Sequence, residues 1–216
     1  MLRLKFCGAH LHVANNRFQP VLCLSAAIRC FLSLPFVTFG VYLDADVSMA
    51  AHVTATAKAC FAALRHIRSV RRSLSREGLL TLMRALTVSK LDYCCSVLAS
   101  VSGTLQRRLQ SVFNAAARLV FSARNSEHVT PLLQELHWLK VPERIQFRLC
   151  VLVHRCLYGN APLYLAETLR LTSDVESCRR LRSGSTSTLL VPSTRRANLG
   201  NRAFPVAAAR AWNALP

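Results

Sequence analysis

The chain has 216 residues, of which 52% are hydrophobic, and a mean hydropathy of +0.27. That is enough apolar material for one good core or two small ones, and it excludes a disordered polar tail. The charge is lopsided: 28 Lys+Arg against 10 Asp+Glu give a formal +18 and a pI near 10.8, which makes a polyanion the natural partner.

Among the basic residues only Lys5, Lys58, Lys90 and Lys140 are lysines. The rest are arginines, whose planar forks suit phosphate, with arginine-rich codon usage in a GC-rich gene as the competing explanation. Residues 1–39 hold no acid, and Val21 to Phe39 is a mostly apolar run that invites comparison with a membrane anchor. Arg29 in its middle and Pro35 near its end argue against a span, because a central arginine costs about 2.5–3.5 kcal/mol even on the lenient insertion scale. The nine cysteines (Cys7, Cys23, Cys30, Cys60, Cys94, Cys95, Cys150, Cys156 and Cys178) form no CxxC and no Cys-His cluster. They suggest neither zinc nor a disulfide framework, and they read as reduced residues of an intracellular protein.

In chain order, the first element is a short strand at Gly40-Val41-Tyr42-Leu43. Asp44 and Asp46 follow it. Asp-x-Asp on a strand could hold a divalent cation, but acids ahead of a helix more simply complement the positive end of its dipole. After Ser48 as N-cap, Val53, Ala57, Cys60, Leu64 and Ile67 recur at helical spacing and predict a helix over 49–70. On its flank an advance of 100° per residue gathers Lys58, Arg65, Arg68 and Arg72, with Arg71 and Arg76 extending the stripe. A merely solvated face normally mixes signs, and no acid lies between Asp46 and Glu77.

A second helix is expected from Arg76 to Ala99. Its apolar residues Leu79, Leu82, Leu86, Val88, Leu91, Cys95 and Leu98 nearly encircle it and make it central. Asp92 is positioned to accept a bond from an arginine of the first helix. Ser102-Gly103 ends this element, and Thr104 is expected to cap a third helix from Leu105 to Phe121. That helix turns Leu109, Val112, Phe113, Ala116 and Val120 inward and Arg107, Arg108 and Arg118 outward. Thr130-Pro131 and Val141-Pro142 start two more, the first running to Leu139 and the second to Leu157 with Gly159 as its stop. The second buries Ile145, Leu149, Leu152, Val153 and Cys156. Pro162 opens a helix to about Leu171. A Ser/Arg-rich loop with Arg179, Arg180, Arg182, Arg195 and Arg196 then surrounds a marginal strand at Leu189-Leu190-Val191, and Phe204 to Leu215 closes the chain as a helix that leaves Trp212 partly exposed. His128, His137 and His154 lack any nucleophile or acid partner and read as helix-end or core histidines. No HExxH, GxSxG or Gly-rich phosphate loop occurs.

Several of these stretches stand in one order. Leu91-Asp92-Tyr93-Cys94, the run from Leu109 to Val120, His128 to Leu139 with its Leu-His-Trp-Leu, Val141 to Phe147, and the final Trp212-Asn213-Ala214-Leu215-Pro216 together resemble the C-terminal part of a reverse transcriptase from a non-LTR (LINE-type) retrotransposon, the kind labelled a tick transposon. The likeness runs from Gly40 to Pro216. It implies a mainly α fold: an irregular bundle of five to six helices, one short residual strand near Val41 and a basic loop near the C-terminus.

The divisions it implies are 1–39 as a poorly ordered apolar segment outside the match, 40–47 as the last palm strand, 48–171 as a thumb-like helical domain, 172–203 as the loop, and 204–216 as a truncated final helix. The strand, cut from its sheet, must find another partner or fray. The family's catalytic carboxylates lie in an Ala-Asp-Asp type turn upstream, and this sequence has no Asp-Asp pair. The expectation is therefore a chain with no catalytic residue, no metal and no cofactor of its own. It would hold RNA or an RNA–DNA duplex by its backbone through Lys58, Arg65, Arg68, Arg71, Arg72, Arg76, Arg107 and Arg108. The alternative is a translated transposon remnant with no selected activity.

Overall fold

The computed structural model describes residues 36–38, 40–174, 188–195 and 197–215. The expectations for residues 1–35 and for Arg179, Arg180, Arg182 and Arg196 lie outside the described residues. The architecture is mainly helical, as expected. Two strands, β1 (Phe36–Thr38) and β2 (Val41–Leu43), form an antiparallel hairpin in which Thr38 pairs with Val41 and Phe36 with Leu43. Gly40 occupies the turn at φ +76, a conformation that costs glycine nothing. The strand expected to be orphaned thus has a partner, drawn from residues just ahead of the match.

The scaffold is three long helices: α1 (Ala50–Val70), α4 (Gly103–Phe121) and α6 (Val141–Leu157). Between the first two run a 3-10 turn (Arg71–Ser73), α2 (Arg76–Met83), a π-helical turn (Arg84–Val88) and α3 (Ser89–Asp92). Beyond α4 come α5 (Thr130–Glu135), α7 (Leu163–Ala166), α8 (Ala197–Gly200) and α9 (Phe204–Asn213). α1 packs on α4, and α6 packs on α9.

The main core takes Val53, Cys60 and Ile67 from α1, Met83 and Leu91 from the middle segment, and Val112, Phe113 and Ala116 from α4, closed by Trp138 and Val141. Trp138 stands edge-on to Phe113 with ring centroids 6.0 Å apart. Alanines let α9 approach α6 closely: Cys150 Sγ reaches the Ala211 carbonyl at 3.5 Å, and Ala208 and Ala209 join Val153 and Leu189 in a satellite core. Leu189 is held by an isolated bridge to Leu171 and by Asn213, whose side chain bonds both its N–H (2.9 Å) and its carbonyl (2.8 Å). The marginal strand expected at 189–191 is therefore a one-residue bridge, in which the Leu190 N–H bonds the Arg170 carbonyl at 2.9 Å and the Thr188 carbonyl accepts the Thr172 N–H at 3.0 Å.

Several helix ends differ from expectation. The helix expected over 76–99 stops at Asp92, because Tyr93 turns extended and Cys94 adopts φ +53 before a 3-10 turn, Cys95–Leu98. Its encirclement is also partial, since within the π turn Leu86 is exposed while Thr87 is buried. α5 ends at Glu135, not Leu139. His137 N–H bonds the Gln134 carbonyl and Trp138 N–H the Leu133 carbonyl, a Schellman stop with His137 at φ +54. The helix expected from Pro162 to about Leu171 is one turn, Leu163–Ala166. Neither Thr104 nor Thr130 caps its helix by a side-chain bond; the caps are Ser102 and Val129. α6 begins as read, with Glu143 accepting the Lys140 N–H at 3.1 Å, and Gln110 of α4 accepts the Val141 N–H at 2.9 Å.

Candidate nucleic-acid interface

The start of α1 fixes the candidate surface. Met49 turns left-handed at φ 64 and is fully buried, Ser48 Oγ accepts the Ala50 N–H at 3.3 Å, and Asp44 Oδ2 accepts both the Ser48 hydroxyl (2.7 Å) and the Ala51 N–H (3.3 Å). Asp44 is thus a helix-start acceptor. β2 ends at Leu43, so Asp44 and Asp46 lie in a turn and do not share the strand face that a two-carboxylate ion site needs.

From this anchor the core face of α1 is Val53, Ala57, Cys60, Leu64 and Ile67, all buried as read. The flank beside it carries Lys58, Arg65 and Arg68, and Arg72 continues the line in the 3-10 turn. All four are exposed, and no hydrogen bond or ion pair engages them within the described residues. At 1.5 Å per residue the line is roughly 21 Å long, about six nucleotides of one strand at roughly 3.4 Å each.

The other four predicted contacts are engaged elsewhere. Arg71 is half-buried and donates to Ser122 Oγ. Arg76 lies 2.7 Å from Glu135 Oε1, with its guanidinium 5.1 Å over the Phe121 ring. Arg107 Nε donates to the Gly103 carbonyl at 3.3 Å, and Arg108 Nη1 to Thr54 Oγ1 at 2.9 Å, tying α4 to α1. These residues brace the scaffold around the line. Arg118, expected to point outward, is half-buried with Nη2 on the Glu127 carbonyl at 3.5 Å. Asp92 does pair with arginines, but those of α6: Arg144 at 2.7 Å and Arg148 at 3.5 Å. Arg144 also lies 4.7 Å over the Phe113 ring.

Phe61 is a residue the sequence reading passed over. It is exposed on the cationic flank, three residues after Lys58 and four before Arg65, and puts an aromatic face among the positive charges. Helical spacing alone places it there.

His128, His137 and His154 are all exposed. His137 sits at a helix end as read, and His154 lies on the open face of α6 with its ring 4.3 Å from that of Tyr158. Among the described residues the buried histidine is His52, whose Nδ1 has no partner there; burial pushes its pKa down, opposed by nearby Asp44. Cys60, Cys94, Cys95, Cys150 and Cys156 are free thiols. Burial foremost, then the Asp92 charge, push Cys95 up to about 11, so its nucleophilic thiolate is scarce at neutral pH. Among the described residues no three His, Cys, Asp or Glu side chains gather to hold a metal, and no helix is long and apolar enough to cross a membrane.

No protein-family model, no curated protein and no solved structure matches this chain.

Proposed function

We propose that this chain binds RNA or an RNA–DNA duplex by its phosphate backbone, along the outer flank of α1 and with little sequence preference. This is the part that the thumb and post-thumb helices of the LINE-type reverse transcriptases it resembles would play. One observation carries the reading: Lys58, Arg65, Arg68 and Arg72 stand exposed in a row, unpaired within the described residues, on a stretch with no carboxylate between Asp46 and Glu77. Unpaired cations have no ion pair to give up when phosphate arrives, and each one neutralising a phosphate releases condensed counterions. Polymerase activity is not part of the proposal, since the sequence holds no Asp-Asp pair and two-metal phosphoryl chemistry needs such carboxylates.

A salt titration tests it. With four contacts the slope of log affinity against log salt should be near −3.6 on a duplex, at about −0.9 per phosphate. Changing Lys58, Arg65, Arg68 and Arg72 to glutamine should remove most of that slope. Unchanged binding would dismiss the α1 flank, and no binding by the native chain at low salt would favour the inert-remnant alternative. Primer extension with Mg²⁺ and nucleotides should yield no product.

A further inference from the structure

The outer face of α6 is built unlike that of any ordinary solvated helix. Its buried residues Ile145, Leu149, Val153 and Cys156 define one side, and at 100° per residue the opposite pole falls on Phe147, Val151, His154 and Tyr158. Charged residues normally occupy that pole. Here Phe147 is 56% and Tyr158 68% exposed, and Tyr164 of α7, which packs against α6, is 69% exposed. The exposed side chains of Arg148 and Arg155 border the strip. The sole acid of α6 is Glu143, in its first turn, where it accepts the Lys140 N–H.

From Phe147, Tyr158 and Tyr164 we propose a second binding surface, which takes the unpaired bases of a single-stranded nucleic acid by stacking. Arg155, exposed and in no ion pair within the described residues, holds the adjoining phosphate. The inference rests on the polyanion reading above but uses different residues and a different part of the ligand. Every base has a π-face, so an aromatic row reads single strands without reading sequence, and arginine beside it adds charge and cation–π attraction. From Phe147 to Tyr158 the helix rises roughly 16 Å, room for several splayed nucleotides. A second copy of this chain is disfavoured as the occupant, since each carries a formal +18 and the strip is edged by arginine.

The test uses the full chain with two fluorescent probes, a single strand of about 12 nucleotides and a blunt duplex, at one salt concentration. Phe147→Ala, Tyr158→Ala and Tyr164→Ala together should lower single-strand affinity by roughly 10- to 100-fold and leave duplex affinity within about twofold. Tyr158→Phe alone should bind like the native chain, because stacking needs the ring and not the hydroxyl. All three side chains are exposed, so the far-UV circular dichroism melt should not move. Unchanged single-strand binding by the triple variant overturns the second surface while leaving the α1 reading intact. So does a native dimer in light scattering that the triple variant dissolves, or strip-dependent binding of an acidic amphipathic peptide with no effect on nucleic acid.

Discussion

α1 and α6 are the same kind of object up to a point: long helices, each burying one apolar stripe in a shared core. Arg144 of α6 and the cations on the α1 flank are treated in opposite ways. On α6, Arg144 and its partner Asp92 are largely withdrawn from solvent, with side chains 14% and 20% exposed, and the guanidinium lies over Phe113. On α1 and the turn after it, Lys58, Arg65, Arg68 and Arg72 face water with nothing to hold them among the described residues. The contrast teaches that an excess of arginine is not one property. Some of it is structural, neutralised and close-packed, and some is left free for a ligand; only the geometry sorts the two.

The harshest way to probe the contrast is to remove the ring beneath Arg144. Phe113→Ala deletes a fully buried side chain from the centre of the core, and about 3–5 kcal/mol of stability should go with it, read by urea denaturation. Asp92→Ala comes next, at about 2–3 kcal/mol, because Arg144 is then left nearly buried without its counter-charge. Asp92→Ala combined with Arg144→Met should lose less than Asp92→Ala alone, and additive losses in that cycle would show that the pair is uncoupled.

At the other extreme, the fourfold glutamine variant of the α1 flank should shift stability by no more than about 0.5 kcal/mol, even as it flattens the salt dependence of binding. A large loss there would mean those side chains are structural after all. The finest discrimination uses pH. His52 titrates below its ordinary 6.5 when folded, so the unfolded chain binds the proton more tightly. The folded state therefore has its full advantage above pH 6.5 and loses it as pH falls below that value. His52→Phe should remove that part of the acid sensitivity, and an unchanged profile would assign it to other groups.

Much of this was legible from spacing. The inward residues of α1 and α4 and most of those of α6 were readable because one apolar stripe at 3.6 residues per turn dominates each helix. Gly159 announced the stop of α6, since it takes φ +72 where only glycine is comfortable. Stops made by His137 and Cys94 carried no such mark: a positive φ at an ordinary residue is imposed by surrounding packing, not by local preference, so the helices were read too long. The partner of Asp92 was likewise hidden. An ion pair 52 residues apart in sequence depends on how α6 crosses the core. The basic line on α1 followed from periodicity, whereas periodicity could not tell which of the eight cations were already engaged by Ser122, Glu135, Gly103 and Thr54.

The left-handed turn at His137 has a practical consequence. α5 and α6 close with the same pair of backbone bonds, but at the matching position one uses glycine and the other an exposed imidazole in a conformation that costs an L-residue about 1–2 kcal/mol. An unspent reserve of thermal hardening therefore sits on the surface, where His137→Gly would give protein engineers a sturdier scaffold for crystallisation.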